Sequence, residues 1–312
     1  MAGTELYAER KRSHRRTWTA AAVLLGLVFM VGGQVGALLP AIAAGFVVPG
    51  DSAEGWPQLA YELGASFGLT SILILLWARL FERRGPSALG LNARGPMRFA
   101  RGYLVGLAFM LTVVGVIWSL GGYVVEGAGA FGTAAVGASL LPIGVLMLGF
   151  VIQGSSEEIL FRGWLMQLIA SRHGLWIAVI ANSALFALAH AGNMEPSNEL
   201  YSGLGNILLF GLFISLYAVR EGSLWGVCGW HAAWNWLLGL GFGLEVSGMA
   251  VDATPLITDL TTAPGAAWWL TGGAFGPEAS LVTTAVLLAG IVVLMARGRT
   301  RDQGVEAAPV PV

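Results

Sequence analysis

The sequence predicts an all-α, polytopic membrane protein of about eight transmembrane helices. Three observations carry that prediction. The 312 residues are 56% hydrophobic and only 11% charged, with a mean hydropathy of +0.72, which is the composition of integral membrane proteins. Eight apolar segments recur along the chain, most of them near the ~20 residues that a bilayer demands. The basic residues fall on alternate loops, as the positive-inside rule requires.

The first segment, residues 18–44, follows a basic tail of Arg10, Lys11, Arg12, Arg15 and Arg16. It is longer than the roughly 7–15 apolar residues of a signal peptide, so it reads as a first span. Further spans are expected at residues 59–81, 99–125, 140–169, 175–190, 204–219, 224–244 and 281–295. The fourth is long, which points to tilt or a cytoplasmic extension. With both termini cytoplasmic, Arg79, Arg83, Arg84, Arg94, Arg98, Arg101, Arg162, Arg172, Arg220, Arg297, Arg299 and Arg301 join the tail on one side. The opposite loops hold Asp51, Glu54, Glu126, Glu195, Glu199, Glu245, Asp252, Asp259 and Glu278, and no Lys or Arg.

Residues 80–98 read as a cytoplasmic linker with a short amphipathic piece at 88–91. Residues 245–277 read as an external loop, with Trp268 and Trp269 at headgroup level. The termini are expected to be disordered. The chain divides into a tail with two spans (1–82), a membrane core (83–244) and an external loop, last span and tail (245–312). A net charge of -1 argues against a nucleic-acid partner. Cys228 is the single cysteine, so there is no intramolecular disulfide and no Cys/His zinc pattern. The end Pro309-Val310-Pro311-Val312 has no cysteine for prenylation of the chain itself.

The stretch Ser155-Ser156-Glu157-Glu158-Ile159-Leu160-Phe161-Arg162 stands out within the fourth segment. An ionised carboxylate in hydrocarbon costs about 2.5–3.5 kcal/mol on insertion scales, so two in a row call for a partner or a water-filled cavity. Glu158 and Arg162 are four apart and can pair on one helix face. Glu157 lies about 100° round the helix and meets a different neighbour. His190 ends the fifth segment, four residues after Phe186, with Asn182 a further four back on the same stripe. His231 and Asn235 share a face of the seventh. His14 and His173 read as surface residues. Any one of these polar groups can be a packing clamp or a carbonyl partner, and Phe186 reads as a packing residue. Gathered into one cavity they satisfy each other and reach water, which is cheaper than separate burial. The fourth, fifth and seventh spans are therefore expected to pack around them. By span arithmetic His190 lies towards the outer side, so it meets Glu157 only if the fourth span tilts or the fifth starts inside the cytoplasm.

A carboxylate, two imidazoles and a carboxamide suit the activation of water. Glu157 can take a proton from water, a histidine can orient that water or stabilise an oxyanion, and Asn235 can donate to the same oxyanion. No GxSxG elbow surrounds Ser155 and Ser156. Glu157, His190 and His231 also make a conceivable Zn²⁺ set, although no HExxH is present. A binding or immunity protein using the same pocket, or a proton-coupled transporter, are the other readings. The transporter lacks the internal repeats it would usually show.

The motifs Glu157-Glu158-x-x-x-Arg162, Phe186-x-x-x-His190 and His231-x-x-x-Asn235, in that order on separate apolar segments, resemble those of the CPBP family of intramembrane proteases, also called the Abi or CAAX-protease family. Pro86-Ser87-Ala88-Leu89-Gly90-Leu91 is also similar to the family's run before its core. The resemblance covers residues 83–244. It implies a helical membrane fold with a cavity opening towards the cytoplasm, and an endopeptidase acting on a membrane-associated peptide or protein. It implies Glu157 as the base, His190 and His231 as catalytic histidines, Asn235 as the oxyanion donor, and Glu158, Arg162 and Phe186 in support. No cofactor is expected unless the zinc variant applies. The expected site of action is the bilayer of a bacterial plasma membrane.

Overall fold

The computed structural model describes residues 5–48 and 55–296. Helices form at all eight expected spans. Helices α1 (Thr19–Ala43), α2 (Trp56–Leu80), α3 (Gly95–Ser119), α4 (Val136–His173) and α6 (Asn198–Glu221) are long and apolar enough to cross a membrane. Helices α5 (Leu175–Ala189) and α8 (Leu281–Ala296) are apolar but shorter. Helix α7 (Trp225–Trp236), continued by a π-helical segment over Leu237–Gly241, is buried along nearly its whole length. Leu24, Leu27, Leu104, Leu148 and Ile180 are each more than half exposed on outer helix faces. Such a surface is soluble in lipid and not in water, and the chain is an integral membrane protein. Asp51, Glu54, Arg297, Arg299 and Arg301, used above for orientation, lie outside the described residues.

Three expectations need correction. The third span stops at Ser119, short of residue 125. The chain turns at Gly121 (φ +77°) and enters a strand, β1 (Tyr123–Ala128). This pairs antiparallel with β2 (Thr258–Thr262), placing Tyr123 opposite Thr262, with an irregularity between Val125 and Gly127. The apolar Val124 and Val125 that extended the span are strand residues with β-branched side chains. The piece at 88–91 is not a surface amphipath: Pro86–Leu89 is a 3₁₀ turn with Leu89 fully buried. The N-terminal tail packs from Glu5 onward. The Tyr7 hydroxyl donates to the Arg162 carbonyl at 3.1 Å, and Thr17 Oγ1 donates to buried Glu82 at 2.6 Å.

The turns gather at two ends. The basic end holds the tail, the 80–95 linker and the turns before α5 and α7. Asn92 Nδ2 donates to the Gly222 carbonyl (2.6 Å), and the Leu224 amide donates to the Gly90 carbonyl (2.9 Å). The acidic end holds the β ribbon, the α5–α6 turn and residues 245–280. There Asn193 Nδ2 donates to the Ser247 carbonyl at 2.9 Å.

Helix α7 docks on α3 backbone to backbone. A Cβ at Gly229 would fall on the Phe99 carbonyl oxygen and 2.9 Å from the Tyr103 amide nitrogen. Small residues allow this approach where apolar burial between helices has no solvent to escape from. Helix α4 comes close to α7 at Gly154, where a Cβ would stand 3.2 Å from His231 Cγ. Among the described residues, three π-helical segments occur, at Glu62–Ser66, Ile159–Leu165 and Leu237–Gly241.

Candidate active site

Helix α4 spans 38 residues, about 57 Å at 1.5 Å per residue, and delivers both glutamates just before its π segment. Glu158 is fully buried, and its Oε1 accepts from Arg162 Nη1 at 3.1 Å. Arg162 is equally buried. It reaches the Ser215 hydroxyl and the Gly211 carbonyl of α6, both at 3.5 Å, and its guanidinium lies 4.3 Å from the Phe186 ring centroid. A buried ion pair offsets its desolvation only when the remaining donors and lone pairs are also engaged; these contacts engage the guanidinium, whereas Glu158 Oε2 has no hydrogen-bond partner among the described residues. The same Glu158 oxygen meets His231 Nδ1 at 2.9 Å. A carboxylate only accepts, so Nδ1 carries the proton and a neutral ring has its lone pair on Nε2. That nitrogen stands 3.5 Å from Glu157 Oε2.

His231 therefore joins the two carboxylates, which reach opposite nitrogens of one ring. Phe210 closes one side of it, with ring centroids 4.9 Å apart. Asn235, one turn further along α7, donates from Nδ2 to Gln153 Oε1 at 2.9 Å. Gln153 lies one turn before Glu157, so α4 orients both its own base candidate and the amide of α7. His190 meets the Phe186 carbonyl through Nδ1 at 2.8 Å. A carbonyl only accepts, so this nitrogen is protonated too.

Glu157, His190, His231, Asn235 and Phe186 line one cavity of about 230 Å³. Glu158 and Arg162 stand behind its wall, and Asn182 is fully buried without lining it. The cavity is wider than a gap between the fourth, fifth and seventh helices. Residues of α1, α2, α6, α8 and the 246–251 loop also line it. Glu157 and His190 line the same cavity, and α5, which ends just before His190, has only 15 residues, about 22 Å. The α5–α6 turn sits recessed under the 245–280 loop, tied there by Asn193. The loops that line the cavity belong to the acidic end, and none belongs to the basic end. Among the described residues, no opening is found at the basic end, where one is expected if that end is cytoplasmic.

Sequence reasoning missed Gln153, Phe210 and Glu278. Gln153, an amide four residues before Glu157 in an apolar helix, carried a usable signal. Glu278 did not, since its partners are remote: it accepts from Trp234 Nε1 (2.9 Å) and from the Ser247 amide and hydroxyl (2.5 and 2.8 Å). Among the described residues, no three His, Cys, Asp or Glu side chains converge to hold a metal ion. Glu157, His190 and His231 are accordingly not gathered as a three-ligand set in this arrangement.

Fold and site together define a helical membrane protein with a carboxylate–imidazole–carboxamide cavity. Residues 139–237, about a third of the chain, match the family described as type II CAAX prenyl endopeptidase Rce1-like, and in that stretch the chain is similar to the CAAX-protease (CPBP) family. The chain is also similar to an uncharacterized protein, YyaK, of Bacillus subtilis (strain 168). The two are 34% identical over 90 residues, which is 28% of this chain and 29% of that protein. No solved structure matches the chain.

Proposed function

We propose that the chain is an intramembrane endopeptidase that hydrolyses a peptide bond of a membrane-associated protein or peptide, with residues 83–244 as the catalytic core. The observation that carries this reading is the pairing of Glu157 and His231 Nε2, 3.5 Å apart in one cavity. Both are acceptors. A water that donates one hydrogen to each turns its lone pair outward, towards a carbonyl carbon. Glu157 removes one proton as the oxygen attacks. The developing oxyanion takes the second hydrogen of the Asn235 amide, whose first is held by Gln153. His190 in its imidazolium form adds a second donor from Nε2. Glu157 then returns its proton to the leaving amine as the C–N bond breaks. The products are a carboxylic acid and an amine, and the acid's proton passes to solvent or to the amine on release, leaving carboxylate and ammonium. Glu158 and Arg162 fix the His231 tautomer, and Phe186 holds the Arg162 face and the His190 turn. The reaction needs no metal. The family relationship supports the reaction class, and the distribution of arginines supports a bacterial plasma membrane with both termini cytoplasmic.

The test is cleavage of a library of membrane-associated peptides by detergent-purified protein. Wild type runs beside Glu157→Gln, with and without a zinc chelator. Cleavage lost in the variant and kept with chelator supports the proposal. Loss in both arms means a metalloprotease. Cleavage by Glu157→Gln removes Glu157 as the base.

A further inference from the structure

We infer that the reaction cavity is entered from the end of the bundle opposite the arginine-rich loops. On this inference its substrate is a membrane-inserted segment that reaches the cavity from the outer side of the bilayer. The inference rests on reading the cavity as the reaction site, but its test does not depend on turnover.

Three independent features converge. First, the mouth is marked by the lining residues that are also exposed: Gln34, Glu62, Ala189, Met249 and Ala250. Glu62 is near the start of α2 and Ala189 at the end of α5, both towards the acidic end, and Met249 and Ala250 belong to its loop. Gln34, in the later half of α1, places the mouth partly against lipid. Second, the basic end is closed. Tyr7 caps the Arg162 carbonyl, Trp164 Nε1 donates to Glu82 at 3.1 Å, and Gln167 Nε2 donates to the Ala88 carbonyl at 2.7 Å. Trp164, Glu82, Gln167 and Leu89 are all buried there. Third, charge sorts the two ends. Among the described residues, every Lys and Arg outside the α4 site lies at the basic end, and none lines the cavity. The positive-inside rule puts that end in the cytoplasm. A prenylated tail presented from the cytoplasm would meet the closed end.

The test uses thiol accessibility in the full chain. The one native cysteine, Cys228, is fully buried, so wild type supplies the background. Met249→Cys and Gln34→Cys report on the mouth, and Ser87→Cys reports on the exposed basic-end linker. Spheroplasts are treated with a sulfonated, membrane-impermeant maleimide, then repeated after permeabilisation. The expected result is modification of Met249→Cys and Gln34→Cys in intact spheroplasts, with Ser87→Cys modified only after permeabilisation. Modification of Ser87→Cys but not Met249→Cys in intact spheroplasts overturns the orientation. Resistance of Gln34→Cys under both conditions overturns the open mouth. Glu157→Gln added to each variant leaves the labelling unchanged, so failure of the hydrolytic mechanism and failure of this inference are read separately.

Discussion

Gly229→Ala tests whether the spacing of α3 and α7 sets the geometry of His231. The new Cβ would fall on the Phe99 carbonyl oxygen and 2.9 Å from the Tyr103 amide nitrogen. Carbon–oxygen contacts stand at about 3.3–3.6 Å, so the helices must part by about 1 Å. The obstacle is backbone, which has no rotamer to yield. His231 lies two residues on and must hold Glu158 at 2.9 Å while facing Glu157 at 3.5 Å. A displacement of about 1 Å in a reacting group can cost about 10²-fold in rate, and overpacking costs about 1–3 kcal/mol of stability. Cleavage by purified protein, read beside its thermal unfolding in the same detergent, should show a fall of about 10²-fold in kcat with a lowered Tm. Wild-type kcat in a variant that has lost stability would refute the coupling between this helix contact and the imidazole.

Other substitutions probe other contacts. Arg162→Ala leaves Glu158 buried without its cation, at a cost of about 3–5 kcal/mol, and should abolish the folded protein's peak in size-exclusion chromatography. Arg162→Lys restores the charge but not the fork that reaches Ser215 and Gly211, so it should rescue folding only in part. Glu278→Ala removes the acceptor for Trp234 and Ser247 and should speed chymotrypsin cleavage within residues 245–277, measured by mass spectrometry. Gln153→Ala frees the Asn235 amide to rotate and should lower kcat more than it raises KM, because the loss falls on the transition state.

The helices were legible because hydropathy is local. Each span could be read from its own residues, and the three motifs fell on the helices expected to carry them. The pairing of Glu158 with Arg162 was equally local, at one turn. What stayed hidden is non-local. Tyr123 and Thr262 pair across 139 positions of sequence, and nothing in either strand announces the other. Tyr7 looked like part of a disordered tail because its acceptor, the Arg162 carbonyl, belongs to the distant α4. The two glutamates were expected to face different neighbours from the 100° step between them. A flat ring with nitrogens on two edges reaches both.

The π segment at Ile159–Leu165 bears on how this chain can change over evolutionary time. A π segment widens the backbone ring by one residue relative to the α-helix. Such a turn holds one residue more than its α counterpart while the helix beyond keeps its phase. Deleting one residue there would let the helix close into regular α geometry with Gln167 still turned towards its acceptor, the Ala88 carbonyl. The same deletion earlier in α4, where the helix is regular, would turn everything beyond it by about 100°. Length is therefore free to vary by one residue within Ile159–Leu165 and fixed in the regular turns before Glu157.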